Sequence, residues 1–411
     1  MNYNTATLPN GLRVIHLPSP SPVVYCGYQI AVGTRNEAPG EEGLAHFCEH
    51  VTFKGTERRK AWNIINGLES VGGDLNAFTN KECTTFYAAI LKDHVTRAID
   101  LLSDMVFHST YPQSEIDKEV EVICDEIESY NDSPAELIYD EFENLVFRGH
   151  PLGHNILGTA DHVRGFTTSD ALRFTRKYYR PDNAVFFVYG DVTFKKVMKC
   201  LESYTPVPGS FLCDAPAPSP SLPRGEQENK RLFVSSRGTH QAHVMLGGRG
   251  YDFRDERRMS LYLLCNMLGG PGMNARLNMV LREHRGLVYT VETTMTSYGD
   301  TGIWSTYFGC DAGDVKRCLH LVRRELDRLR LRPVTATRLR AAQKQLKGQI
   351  GVACDNRENF ALDFGKSFLY YGWERDITSL YASIDRITVE NLHAVAHEVF
   401  DPERMTTLIY Q

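Results

Sequence analysis

Two histidines and a glutamate lie close together in the first part of the chain. His46 and His50 are four positions apart, and Glu49 stands between them. On a helix, these spacings place all three side chains on one face. Two imidazoles in this arrangement can bind one zinc ion, and the carboxylate can reach a water molecule bound to that ion. The spacing therefore predicts a metal site that activates water.

The same three residues have a plainer interpretation, in which two ordinary histidines flank an ordinary helix glutamate. The order His-x-x-Glu-His is, however, the inverted form of a signature that many zinc proteases share. A catalytic zinc usually has three protein ligands and an open fourth position. A zinc site in this chain therefore needs one more ligand from another segment.

A second helix offers two glutamates for that role. The helix begins near Ser114, and Glu119 and Glu126 lie seven positions apart on it, so they share one face. A solvated helix face is the plainer interpretation of either glutamate alone. Apolar residues such as Val120 and Ile123 indicate a largely buried helix, where an unpaired carboxylate is costly. One of the two carboxylates could thus complete the metal site.

Together these segments resemble the pitrilysin family of zinc peptidases, which includes insulin-degrading enzyme and the mitochondrial processing peptidase. In that family a ligand glutamate follows the histidine motif by about 76 positions, with another glutamate seven residues before it. Here Glu126 lies 76 positions after His50, and Glu119 lies seven before Glu126. The flanking sequences match over residues 33–37, 43–45 and 53–56. The resemblance covers essentially the whole chain.

The resemblance implies a role for each residue of the two helices. His46, His50 and Glu126 are then the ligands of one zinc ion. Glu49 is then the general base that acts on the zinc-bound water. Glu119 is then a supporting residue that does not bind the zinc itself.

A pair of residues in the second half also fits the family. Active members carry an arginine and a tyrosine seven apart that reach the substrate, and Arg282 and Tyr289 have that spacing. A tyrosine hydroxyl can stabilise an oxyanion, and an arginine can hold a backbone carbonyl. Without the family, the segment is a helix end followed by a strand. Residues 260–268, which correspond to the histidine helix, contain no histidine, so we expect one zinc per chain.

A strand beside the metal motif is expected to bind substrate. It follows a Gly-Gly turn and resembles the edge strand of the family, to which an extended peptide can add through main-chain hydrogen bonds. The candidate substrate-binding residues are Asn76, Ala77, Thr79 and Glu82. The alternative is that they are simple strand and turn residues.

Prolines mark a division near the middle of the chain. Six of the 18 prolines lie within residues 206–230, which is typical of an extended linker. We therefore expect an N-terminal metal-binding peptidase domain over residues 1–205 and a C-terminal domain over residues 231–411 that carries the arginine–tyrosine pair.

The two halves also resemble each other at an offset of 221 positions. A threonine that opens a helical stretch recurs as Thr167 and Thr388, and the proline of the following turn recurs as Pro181 and Pro402. Strands and helices alternate irregularly in each half. The fold class predicted is α+β, with two homologous domains of the processing-peptidase type. Each domain is expected to be a mixed, mostly antiparallel sheet packed with helices.

Composition excludes some classes of function. The formal net charge of −5 argues against nucleic acid as a partner bound through a broadly basic surface. No segment has the roughly 18 unbroken apolar residues of a spanning helix, so no membrane partner is expected. The ten cysteines form no Cys-x-x-Cys pair, and no secretory signal is visible. These features favour reduced thiols and a cytoplasmic location.

The function expected is that of a zinc metalloendopeptidase acting on short or unfolded peptides inside a closed chamber. Long family members carry four such domains, so two copies of this chain could form the enclosure as a homodimer. A heterodimer with a related subunit is the alternative assembly. The competing interpretation is a catalytically silent or partner-dependent structural subunit, and a narrower one is a maturation protease for a single leader peptide.

Overall fold

Two β-sheets, each covered by helices, organise the chain. We describe them from a computed structural model, which describes residues 3–207, 231–372 and 376–411. The chain divides into two compact units. The first unit comprises Met1–Glu128, His154–Ser219 and Cys354–Asp376. The second unit comprises Ser129–Gly153, Pro220–Ala353 and Ile377–Gln411.

The first unit contains a six-stranded sheet. Its strands are β1 (Asn4–Thr7), β2 (Arg13–Pro18), β3 (Val23–Ile30), β4 (Asp74–Thr79), β5 (Thr84–Leu91) and β6 (Ala184–Gly190). Their order is β1-β2-β6-β3-β5-β4, and only the β2–β6 pairing is parallel. The central strands β3 and β6 are apolar almost throughout because both of their faces are covered. Strand β4 forms one edge of this sheet.

The second unit contains a five-stranded sheet with the same plan. Its strands are β7 (Leu232–Ser235), β8 (Ala242–Gly250), β9 (Val288–Ser297), β10 (Gly302–Cys310) and β11 (Thr406–Tyr410). Their order is β7-β11-β8-β10-β9, with one parallel pairing, β7–β11, at the end of the sheet. This order matches β2-β6-β3-β5-β4 strand for strand. The predicted fold class, two homologous α+β domains with mostly antiparallel sheets, is confirmed.

Fourteen helices are present among the described residues. In chain order they are α1 (Leu44–Thr52), α2 (Ala61–Glu69), α3 (Val95–His108), α4 (Gln113–Asn131), α5 (Pro134–Val146), α6 (Ala160–Gly165), α7 (Thr168–Tyr178), α8 (Phe194–Tyr204), α9 (Arg258–Gly269), α10 (Val315–Leu331), α11 (Ala336–Ala353), α12 (Arg357–Tyr371), α13 (Ile377–Asp385) and α14 (Val389–Val399). Helices α7 and α14 show the predicted offset of 221 residues at both ends.

Each sheet also carries a helix from the other half of the chain. Helix α12 packs on β3 and β6 of the first sheet, where Phe364 and Phe368 join a cluster with Phe187. Helix α5 packs on β8 and β11 of the second sheet through Ile138 and Phe142. The domain boundaries predicted from the sequence run along the chain, whereas the compact units exchange these two segments. Most of the predicted linker, from residue 208 to residue 230, lies outside the described residues.

The largest core lies between the first sheet and the helices on its inner face. Helices α1, α3, α7 and α8 contribute residues such as Phe47, Leu102 and Phe174, which pack against Tyr28 and Phe186 of the sheet. Burial of such a side chain stabilises the fold by about 1.5–3 kcal/mol. Helix α1, which carries the histidine motif, is therefore anchored in this core.

Two further properties concern thiols and membranes. The nine cysteines of the described ranges are all free, and eight of them are buried. Among the helices described here, none is long and apolar enough to cross a membrane.

Candidate metal centre

Helix α1 holds the histidine motif in a fixed position. Its start is formed by Gly43, whose φ of 99° is a left-handed conformation that favours glycine, and a Cβ there would lie 2.7 Å from the carbonyl oxygen of Leu157. The buried carboxylate of Glu37 accepts hydrogen bonds from the backbone N–H groups of Gly43 (3.0 Å) and Ala45 (2.7 Å). These bonds satisfy donors that a helix start leaves unpaired. The helix that carries the site is therefore capped from a separate segment.

Three side chains converge beside this helix. The ligand atoms of His46, His50 and Glu126 all lie within 4.8 Å of one another. Nε2 of His46 is 3.9 Å from one oxygen of Glu126, and Nε2 of His50 is 3.4 Å from the other. Two imidazole nitrogens and one carboxylate oxygen form a ligand set typical of catalytic zinc, which keeps a fourth position for water or substrate.

The two imidazoles differ in how readily they take up a proton. Burial, together with the neighbouring imidazole of His50, lowers the pKa of His46 to about 3. The imidazole of His46 is therefore uncharged at neutral pH and keeps a lone pair for an ion. Burial lowers the pKa of His50, but the hydrogen bond to Glu119 and the nearby carboxylates of Glu49 and Glu126 outweigh it and raise that pKa. A divalent cation that binds at this ring would take the place of a proton.

A hydrogen-bonded chain orients one of the ligands. Nδ1 of His50 donates to Glu119 at 3.0 Å, and Nζ of Lys54 lies 2.5 Å from the other oxygen of Glu119. Burial raises the pKa of Glu119, but the hydrogen bonds from His50 and Lys54 outweigh it and hold that pKa below its usual value. With Nδ1 bonded to Glu119, Nε2 is the nitrogen of His50 that faces Glu126 and would bind an ion. Glu119 therefore contacts one of the candidate ligands, and its supporting role stays the prediction that the family resemblance implies.

Glu49 lies on the same helix face and is held by a threonine. The hydroxyl of Thr79 donates to Oε2 of Glu49 at 2.6 Å, and both residues are buried. Burial raises the pKa of Glu49, and the hydrogen bond from Thr79 only partly offsets this. A carboxylate whose pKa is raised toward neutrality is a better proton acceptor than one in water. The geometry therefore suits a general base.

The four predicted substrate residues have different surroundings. Asn76 is exposed on the edge strand β4, and Ala77 is half-buried. Thr79 points its hydroxyl at Glu49, and Glu82 forms an ion pair with Arg35 at 2.5 Å. Asn76 and Ala77 are therefore placed on an accessible edge, while the polar groups of Thr79 and Glu82 contact other residues of the protein.

The predicted arginine–tyrosine pair lies in the second unit. Arg282 belongs to a short π-helix, Asn278–Glu283, and Tyr289 lies in β9 with 66% of its surface exposed. Both residues line one cleft of about 330 Å³, together with the glycine-rich loop of residues 269–273. Single-turn π-helices occur frequently at functional sites. The structure thus brings these two residues together within one unit.

Two residues of the site were not assigned roles from the sequence. Lys54 is the cation that pairs with Glu119, and Glu37 caps helix α1 and also accepts a hydrogen bond from Nε2 of His154 at 2.8 Å. Both lie in the segments that resemble the family on either side of the histidine motif. That resemblance marked the segments, but only the fold shows which atoms these side chains contact.

Comparisons with known proteins identify the family of the chain. Residues 13–160 match the model of "Insulinase (Peptidase family M16)", and residues 165–346 match that of "Peptidase M16 inactive domain". A protein of Bacillus subtilis named as an uncharacterized zinc protease is 31% identical over 98% of this chain and 97% of its own length. Another so named, from Streptomyces coelicolor, is 34% identical over 96% of this chain and 86% of its own length.

Solved structures show the same fold. A protease from Helicobacter pylori superposes with a TM-score of 0.91 at 23% identity, covering 100% of this chain and 99% of that one. A structure from Pseudomonas fluorescens, described as a peptidase M16 inactive domain, has a TM-score of 0.87 at 20% identity and covers 100% and 98%. With relatives above 30% identity along nearly the whole length, the chain belongs to the insulinase family of peptidases, family M16.

Proposed function

We propose that this protein is a zinc-dependent endopeptidase with Glu49 as its general base. The observation that carries the proposal is the convergence of His46, His50 and Glu126, with Glu49 on the same face of α1. Membership of family M16 and the names of the relatives support peptidase chemistry.

The roles of the chain's own residues follow from the contacts described above. Zinc, when bound to His46, His50 and Glu126, would supply the Lewis acidity that activates a water molecule and polarises the scissile carbonyl. Glu49 accepts the proton of the attacking water on its carboxylate and then delivers that proton to the leaving amine, so that the base is regenerated. Glu119 keeps the imidazole of His50 in the required tautomer.

The second unit is proposed to contribute Arg282 and Tyr289. Their exposure in a shared cleft leaves both side chains available to a substrate. In the proposal, the hydroxyl of Tyr289 stabilises the oxyanion of the tetrahedral intermediate, and the guanidinium of Arg282 holds a substrate carbonyl.

Substrate and assembly are proposed from the family resemblance. The substrates are short or unfolded peptides, taken into a closed chamber formed by two copies of the chain. A heterodimer with a related subunit is the alternative. The nine free cysteines of the described residues support a reducing, cytoplasmic location. A solution mass of about twice 46.6 kDa for the purified protein would support the homodimer, and a mass of one chain would contradict it.

The competing proposal is a silent structural subunit. One observation favours it, since the family model that matches residues 165–346 is described as inactive. That match lies outside the segments that carry His46, His50, Glu49 and Glu126, so it leaves the candidate metal site untouched.

Cleavage of a quenched fluorescent peptide library separates the two proposals. The purified protein is assayed as prepared, after removal of metal with a chelator, and after return of one equivalent of zinc. We expect cleavage that is lost on chelation and restored by zinc. Zinc binding without any cleavage would favour the silent subunit, and absence of both would refute the peptidase proposal.

A further inference from the structure

The hydroxyl of Thr79 forms a hydrogen bond with the carboxylate of Glu49. Thr79 Oγ1 donates to Oε2 of Glu49 at 2.6 Å, and Thr79 and Glu49 are each only 8% exposed. The nearest competing acceptor is the hydroxyl of Thr84, at 3.5 Å. Because the contact is short and shielded from water, a peptide lying on the strand would not need to displace it.

The strand pairing around Thr79 restricts the position of this hydroxyl. Thr79 is the last residue of β4 and pairs with Thr84 of β5. The hydroxyl of Thr84 donates to the carbonyl oxygen of Val32 at 2.9 Å, which holds Thr84 in place behind Thr79. A β-branched side chain has few rotamers, so the direction of the Thr79 hydroxyl is set by the strand. Glu49, in contrast, has a long and flexible side chain.

We propose that Thr79 is the positioning residue for the general base. Its hydroxyl holds Oε2 of Glu49, which leaves Oε1 as the oxygen that takes up the proton. This inference deepens the proposed function and rests on it. It also assigns Thr79 a different role from the substrate binding that the sequence predicts, because the hydroxyl serves Glu49 and not the peptide.

The strand gives this arrangement a second consequence. Strand β4 is an edge strand, and Asn76 on it is exposed. A peptide that adds to this edge is placed in register by β4, and Thr79 ties the base to the same strand. The hydroxyl therefore links the position of the base to the strand that would align the scissile bond.

Two substitutions test the hydroxyl. Thr79→Val keeps the shape and removes the donor, and Thr79→Ser keeps the donor. General-base catalysis contributes about 10²–10⁴-fold to a rate, so loss of alignment is expected to lower kcat by roughly 10–100-fold in Thr79→Val. We expect the KM and the zinc content of Thr79→Val to stay within about twofold of wild type. Thr79→Ser should retain most of the wild-type activity. Thr175→Val is the matched control, since Thr175 is buried and its hydroxyl bonds to the backbone of its own helix.

Peptide binding distinguishes positioning from substrate contact. In the inactive Glu49→Gln background, adding Thr79→Val should leave the Kd for an uncleaved peptide within about twofold. A tenfold weaker Kd in the double variant would overturn the proposal, because it would place Thr79 among the substrate contacts. Wild-type kcat in Thr79→Val, or an equal loss in Thr79→Ser, would also overturn it.

A third measurement needs no activity. Thermal unfolding of Thr79→Val, Glu49→Ala and the double variant Thr79→Val/Glu49→Ala forms a double-mutant cycle, since alanine, unlike glutamine, leaves no oxygen to accept from Thr79. We expect the double variant to be less destabilised than the sum of the single variants, because both remove the same bond. Additive effects would refute the contact. If wild type cleaved no peptide, the proposed function would fail, and this cycle would still decide whether Thr79 holds Glu49.

Discussion

Replacement of Glu119 by Gln should weaken zinc binding without removing a ligand. In the structure, one oxygen of Glu119 accepts from Nδ1 of His50 at 3.0 Å and the other lies 2.5 Å from Nζ of Lys54. The amide oxygen of Gln can still accept from His50. The charge that strengthens this bond and raises the basicity of the imidazole is lost, however.

The expected magnitude follows from these two contacts. A hydrogen bond to a charged group contributes about 1.5–3 kcal/mol, and the amide retains part of it. Lys54 is 24% exposed, so its ammonium group can turn to water when the carboxylate is removed. Removal of a partner that orients a metal ligand typically weakens metal binding by 10–100-fold, so we expect a Kd for zinc weaker by that factor, or about 1.4–2.7 kcal/mol.

Competition with a chromophoric chelator measures this Kd directly on the metal-free protein. Glu115→Gln is the control, because Glu115 lies one turn earlier on the same helix and pairs with the exposed Lys118. We expect the control to bind zinc within twofold of wild type. An unchanged Kd for Glu119→Gln, or an equal loss in the control, would refute the role assigned to Glu119.

Three further predictions address substrate, stability and thiols. Tyr289→Phe should lower kcat by about 10–100-fold with zinc content unchanged, because it removes the proposed oxyanion donor; a peptidase assay with metal analysis checks this. Asp104→Asn should lower the free energy of unfolding by about 2–3 kcal/mol at pH 7, because the fully buried carboxylate of Asp104 bonds to Arg58 and Arg59. Burial raises the pKa of Asp104, but the hydrogen bonds from Thr56, Arg59 and Arg58 outweigh it and hold that pKa below its usual value. The difference between variant and wild type should therefore shrink as the pH falls below about 4 in urea titrations. Cys48 should resist iodoacetamide in the native protein and react only after unfolding, because it is fully buried and burial raises the pKa of its thiol; native-state labelling and mass spectrometry would show otherwise.

The sequence was sufficient for the family, the fold class and the repeated plan. The spacing of His46, His50 and Glu126 led to residues whose side chains the structure brings together. Such predictions succeed because helix periodicity and the constant offset between the halves are local properties that a linear pattern records.

Other features depend on contacts between distant segments. The exchange of α5 and α12 between the units is set by packing on sheets far along the chain, and no local signal marks it. The resemblance to the edge strand of the family likewise suggested that Glu82 and Thr79 bind substrate. A strand pattern shows which face of the sheet a side chain occupies, but it does not show which atoms that side chain contacts. The structure places the carboxylate of Glu82 on Arg35 and the hydroxyl of Thr79 on Glu49.

The most direct test of the central proposal compares wild type with Glu49→Gln, expressed and purified in parallel. Zinc is measured per chain, and cleavage of a quenched peptide is followed under saturating substrate. The proposed chemistry predicts one zinc in both proteins and a loss of at least about 100-fold in kcat for the variant, because only the proton acceptor is removed. A variant that binds zinc and retains most of its turnover would contradict Glu49 as the base.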